Sequence, residues 1–209
     1  MTLLSSDTQW GSLAKTFHWL MAILILSLGC VGLYMADMAN SPQKIKIYAL
    51  HKSIGLTVLA LALLRLSWRL RDARPRDVPM PAWQAAMAHG VHTVLYLMML
   101  VMPLSGWLFN SAAGFPLQYF GLFNLPSLTG GKSDALRAVA HAIHENGWWL
   151  LLAIVALHAA GAVKHHIIDR DDTLRRMWPG NTRREPVPEP TVEPVVVAPI
   201  SIDTPSQEP

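Results

Sequence analysis

The segment AHAIHENGWWLLLAIVALHAAGAVKHH, residues 140–166, constrains this chain more than any other stretch. It is apolar and long enough to cross a bilayer as a helix, which takes about 20 residues. It carries histidines at 141, 144, 158, 165 and 166. Helix geometry sets His144 and His158 about 21 Å apart along the axis and within about 40° of one face. A neutral imidazole is a ready metal ligand, and in hydrocarbon a polar ring is costly without a partner. The spacing therefore predicts two stacked histidine-ligated centres at two depths of one membrane.

The rest of the chain suits such a setting. Of 209 residues, 52% are hydrophobic and only 15% charged, which excludes an ordinary soluble enzyme and fits a one-domain polytopic membrane protein. Four apolar runs, at about residues 16–35, 47–66, 87–109 and 144–163, predict an all-α integral membrane four-helix bundle within residues 1–184. The first run lacks a basic leader and a small-residue cleavage site, so it reads as a retained helix. Pro103 falls inside the third run, where neighbouring helices must satisfy the carbonyl it frees. Residues 110–139 form the longest connection; its aromatic part, FPLQYFGLFNLP, is too short to span and reads as an interfacial lid. Residues 185–209 hold seven prolines, five acids and no Lys or Arg, a composition that predicts a disordered tail. The single cysteine, Cys30, rules out an internal disulfide or a thiolate-held metal cluster.

Without the tail the domain is strongly basic, with a formal charge of +8 over residues 1–184. Twelve Lys and Arg fall on the side that holds the N-terminus, the loop after the second run and residues 164–184; five, Lys44, Lys46, Lys52, Lys132 and Arg137, fall on the other. Basic loops stay inside, so both termini are predicted to be cytoplasmic. His51 then pairs with His144 near the outer face and His18 with His158 near the inner face. Arg65, fourteen residues beyond His51, reaches the depth of the inner pair.

Histidines from different helices, without Cys, Asp or Glu at ligand spacing, suit a low-spin haem better than zinc or a di-iron carboxylate centre. Gly55, Ala159, Ala160 and Gly161 would let a flat macrocycle approach, and Arg65 or Arg69 would pair with its propionates. Spacing alone leaves His89 and His92 as rivals to His18 for the inner centre.

The segments FHWL (17–20), ALHKSIG (49–55), LLRLSWRL (63–70), AHGVHTVLYLMMLVMPLSGWL (88–108), HENGWWLLLAIVALHAAGAVKHH (144–166) and DDTLRRMWP (171–179) together resemble the bacterial cytochrome b561 family, and most of all its superoxide oxidase members. The resemblance covers roughly residues 8–180 in order. It implies two b-type haems with axial ligands His18, His51, His144 and His158, a bacterial inner-membrane location, and electron transfer from superoxide through the haems to ubiquinone. His165, about 10 Å nearer the cytoplasm than His158, stands where a quinone headgroup would meet the inner haem, or is half of an interfacial pair with His166 beside anionic lipid. The five outer basic residues would steer superoxide, with Lys52, next to His51, the sharpest candidate for a catalytic role. Two other readings are a cytochrome subunit serving a periplasmic dehydrogenase or hydrogenase, and a histidine-lined metal transporter, which the lack of intramembrane acids disfavours. The expected partners are the bilayer, superoxide and ubiquinone, with no nucleic acid.

Overall fold

The computed structural model describes residues 2–180, so the predicted tail lies outside the described residues. Four long helices, α1 (Ser12–Asp37), α2 (Pro42–Arg69), α3 (Ala82–Ala112) and α4 (Asp134–Lys164), form the bundle, and each is long and apolar enough to cross a membrane. A short helix, α5 (Thr173–Met177), follows. Local chemistry sets the helix starts. Ser41 caps α2 by accepting the Lys44 amide, with Pro42 in the first turn, and Ser133 caps α4 by accepting the Leu136 amide, with Asp134 behind it. With no breaker between Asp134 and Ile143, α4 starts ten residues before its expected apolar run, an alanine-rich extension carrying Asp134, Arg137 and His141. α3 runs unbroken through Pro103.

The core is thin. Met21 of α1, Val58 and Ala62 of α2 and Met99 of α3 are buried together, flanked by Leu24, Leu28 and Tyr96. Many other apolar side chains point outward, among them Ile23 (62% exposed), Leu63 (51%) and Leu64 (58%). A soluble protein does not leave so much aliphatic surface in water, whereas lipid solvates it at no cost.

One element departs from the all-helical expectation. The aromatic connection folds into a two-stranded antiparallel hairpin, β1 (Leu117–Tyr119) with β2 (Phe123–Leu125), Leu117 opposite Leu125. Its three-residue turn places Phe120 and Gly121 at positive φ (48° and 74°), with the Leu122 amide donating to the Tyr119 carbonyl at 2.9 Å. α2 holds the hairpin in place: Ser53 Oγ accepts the Phe120 amide at 3.0 Å, and the Thr57 hydroxyl meets Tyr119 Oη at 3.1 Å. The hairpin is therefore fixed beside the first turns of α2, which carry His51 and Lys52.

Candidate functional site: paired histidines at two levels

His51 of α2 and His144 of α4 face each other with ring centroids 6.2 Å apart and planes at 78°. The α3 backbone sets His144. Its Nδ1 donates to the Met102 carbonyl at 2.9 Å and lies 3.1 Å from Ser105 Oγ, whose own proton goes to the same carbonyl. A carbonyl only accepts, so Nδ1 carries the proton and Nε2 keeps its lone pair. His51 Nδ1 is buried with no hydrogen-bond partner. Two glycines crowd these rings: a Cβ at Gly106 of α3 would stand 3.1 Å from His144 Cε1, and one at Gly32 of α1 would stand 3.4 Å from His51 Cε1. Beside Gly55 and Gly161 no neighbouring side chain or helix lies within 4 Å of where a Cβ would be, so the space next to them is open. Within the bundle, close approaches also occur at Gly29, where a Cβ would collide with the Trp148 ring, and at Gly147, where it would meet Met102.

The second level repeats the arrangement. His18 of α1 and His158 of α4 have centroids 6.0 Å apart at 62°. Arg65 of α2 brings its Nη2 within 3.5 Å of His18 Nδ1 and lies over the Tyr96 ring. Arg69, one turn on, stacks over Trp10 and has a buried Nη1 without a partner. His92 of α3 joins this level, its centroid 5.1 Å from that of His158. His89 points elsewhere, 3.8 Å from exposed Asp77, and His141 pairs with Glu145 at 3.4 Å on the surface of α4.

The remaining candidates are not all as free as a sequence suggests. Lys52 is half-buried, and its ammonium donates to Asn110 Oδ1 at 3.0 Å; Asn110 in turn donates to the Phe115 carbonyl, which ties the lysine to α3 and to the approach to the hairpin. Lys44 caps the end of α1 through the Met38 carbonyl at 2.6 Å, and Arg137 pairs with Asp134 at 3.4 Å. His165 closes α4 and opens a π-helical turn, His165–Asp169. Its Nδ1 meets Asp171 Oδ2 at 2.6 Å and Asp169 Oδ2 at 3.1 Å. Burial pushes the Asp171 carboxyl up, but hydrogen bonds from Thr173 and His165 outweigh it and hold the group below the ordinary carboxylate value. Asn110, Ser105, the Met102 carbonyl and Asp171 were not singled out from the sequence, because each acts through a tertiary contact with no local signature.

A family model described as prokaryotic cytochrome b561 matches residues 9–180. The chain belongs to the prokaryotic cytochrome b561 family. Cytochrome b561 homolog 2 of Escherichia coli (strain K12) is 33% identical over 180 residues, covering 85% of this chain and 95% of that protein. Cytochrome b561 homolog 1 of the same organism is 34% identical over 130 residues, 62% of this chain and 73% of its own. A protein of Yersinia pestis named probable superoxide oxidase CybB is 30% identical over 177 residues, 82% of this chain and 96% of that one. Cytochromes b561 are membrane electron-transfer proteins that bind b-type haem.

The residues present fit that group. Metal–imidazole bonds of about 2 Å, with each ring centre roughly 1 Å beyond its nitrogen, call for centroids about 6 Å apart across one iron. The His51–His144 and His18–His158 pairs, at 6.2 and 6.0 Å, meet that requirement, whereas His92–His158, at 5.1 Å, is too close. The tautomer fixed on His144 and the glycines at both rings of the first pair are further features a haem-binding bundle needs.

Proposed function

We propose that this cytochrome b561 is a superoxide:ubiquinone oxidoreductase of the bacterial inner membrane, with both termini in the cytoplasm and two haems per chain. The observation that carries the reading is the pair of imidazole couples, each about 6 Å across, at two levels of α4 fourteen residues apart. Bound there, b-type haem supplies one-electron carriers along the bundle. His51 and His144 hold the periplasmic centre, His18 and His158 the cytoplasmic one. Arg65, with Arg69 behind it, offers cationic partners to propionates at the second level. Two superoxide anions give up one electron each and leave as dioxygen, and one ubiquinone takes up both electrons and two protons to become ubiquinol.

The chain's own residues supply the chemistry at the two ends. At the periplasmic end Lys52, held by Asn110, keeps a positive charge beside His51 whatever the loops do, which draws a small anion to that spot. At the other end His165, seven residues past His158, offers an imidazole to a quinone carbonyl. The CybB relative supports superoxide as the donor.

Stopped-flow mixing of the purified, oxidised protein with superoxide tests the reading. Rapid appearance of the reduced haem band, followed by its loss when ubiquinone is present, is the expected result. No reduction by superoxide, with intact reduction by a periplasmic dehydrogenase or hydrogenase, would replace this reading with that of a partner-fed cytochrome subunit.

A further inference from the structure

Beyond α4 the backbone turns back on itself in a way that its sequence does not require. Arg170 sits in the left-handed region (φ 56°, ψ 32°), a conformation unfavourable for a residue with a Cβ. The reversal lets the Asp171 amide bond to the His165 carbonyl at 3.1 Å and brings the Asp171 carboxylate onto the His165 ring. Unfavourable backbone persists where the surroundings over-determine it, and such places cluster at working sites. The π-helical turn that begins at His165 is another irregularity with that tendency.

The two carboxylates near His165 differ. Asp169 Oδ2 lies 2.7 Å from the Lys164 ammonium, so its charge is matched within the turn, and Lys164 also reaches Gln84 of α3 at 3.4 Å. Asp171 uses Oδ1 to accept the Thr173 amide at 2.8 Å and turns Oδ2 to His165 at 2.6 Å. The side chains of His165 and Asp171 are only 14% and 15% exposed. Although His165, Asp169 and Asp171 lie close enough to share a metal ion, the ammonium against Asp169 disfavours a cation there. The arrangement suits a proton.

Resting on the proposed quinone reaction, we infer that Asp171 is the positioning residue of a His165–Asp171 proton-delivery dyad. Asp171 keeps a proton on Nδ1 and fixes the ring, so that Nε2 is the nitrogen turned to the substrate. The doubly protonated imidazole passes its Nε2 proton to one quinone oxygen as two electrons arrive. The Nδ1 proton stays on the bond to Asp171. The second quinone oxygen takes its proton from water, and water reprotonates Nε2 after ubiquinol leaves, so each turnover consumes two protons and two electrons. Asp169 and Asp171 are the charged groups that meet this ring, both from its own segment; Lys164 stands behind Asp169 and reaches the neutral Gln84 of α3.

Asp171→Asn tests this, because the amide oxygen can still accept the Thr173 amide and keep α5 in place. In the full-length haem-loaded protein, turnover with a short-chain ubiquinone should fall on the order of 10- to 100-fold. Its KM, haem content and rate of reduction by superoxide should match the wild type. Asp171→Glu should recover much of the loss, and Asp169→Asn should have a smaller effect than Asp171→Asn. Wild-type turnover in Asp171→Asn, undiminished quinol formation in His165→Ala, or equal losses in the Asn and Glu variants together with lost haem would each overturn the dyad. A wild-type protein whose reduced haems are not reoxidised by ubiquinone would instead overturn the quinone reading on which the dyad rests.

Discussion

Gly106→Ala separates the site's demands from those of the fold. A Cβ at this position would stand 3.1 Å from His144 Cε1 and 3.3 Å from Nδ1, roughly half an ångström inside ordinary carbon contact. If the ring gives way by that amount, the 2.9 Å bond from Nδ1 to the Met102 carbonyl lengthens beyond useful range. The lost hydrogen bond costs about 1 kcal/mol. Alanine in place of glycine inside a helix contributes about 1 kcal/mol in the opposite direction. Net stability should therefore barely change. The effect should fall on ligation, because losing the group that orients a metal-binding histidine lowers metal affinity by about 10- to 100-fold. Haem titration of the apoprotein with optical detection should show one weakened haem and one unchanged. Wild-type affinity for both haems in Gly106→Ala would refute the argument.

Three further expectations follow from the same geometry. Lys52→Glu should slow bimolecular reduction by superoxide at low salt, and the wild-type rate should itself drop across a salt series, since steering is screened over about 8 Å at physiological ionic strength; Asn110→Ala, which releases the lysine, should have a smaller effect. Ser41→Ala removes the oxygen that accepts the Lys44 amide and should cost about 1 kcal/mol in denaturant titration without changing the haem spectrum. Asp171 is held below its ordinary value of 3.8, so its stabilising effect is complete above that value and is lost only as pH falls through the lowered one; the acid limb of a stability–pH profile should therefore be shallower in Asp171→Asn than in the wild type.

Much of the architecture was legible in the sequence because bilayer thickness imposes a length on every span. The two depths were likewise legible, because His144 and His158 stand fourteen residues apart on α4; spacing alone left His89 and His92 as rivals to His18, and only the ring separations of 6.0 and 5.1 Å distinguish them. Elsewhere the deciding contacts are tertiary. The hairpin at 117–125 depends on Ser53 and Thr57 of α2 to hold strands of three residues each, too short to show an alternating pattern. The glycines that meet the imidazoles, Gly32 and Gly106, lie on neighbouring helices and leave no mark in the spacing of the ligands. The link from His165 to Asp171 passes through a left-handed arginine, which no local rule anticipates.

The central proposal is that four histidines hold two haems, and the haem-to-chain ratio tests it most directly. Pyridine haemochrome assay of the purified wild-type protein should give two haems per chain. His144→Ala should give one, with the spectrum of the other centre kept. His18→Ala should also give one, and His92→Ala should keep two, because only the 6.0 Å pairing at the second level leaves room for an iron. A wild-type ratio of one, two haems retained in His144→Ala, or loss of a haem in His92→Ala with retention in His18→Ala would contradict the assignment.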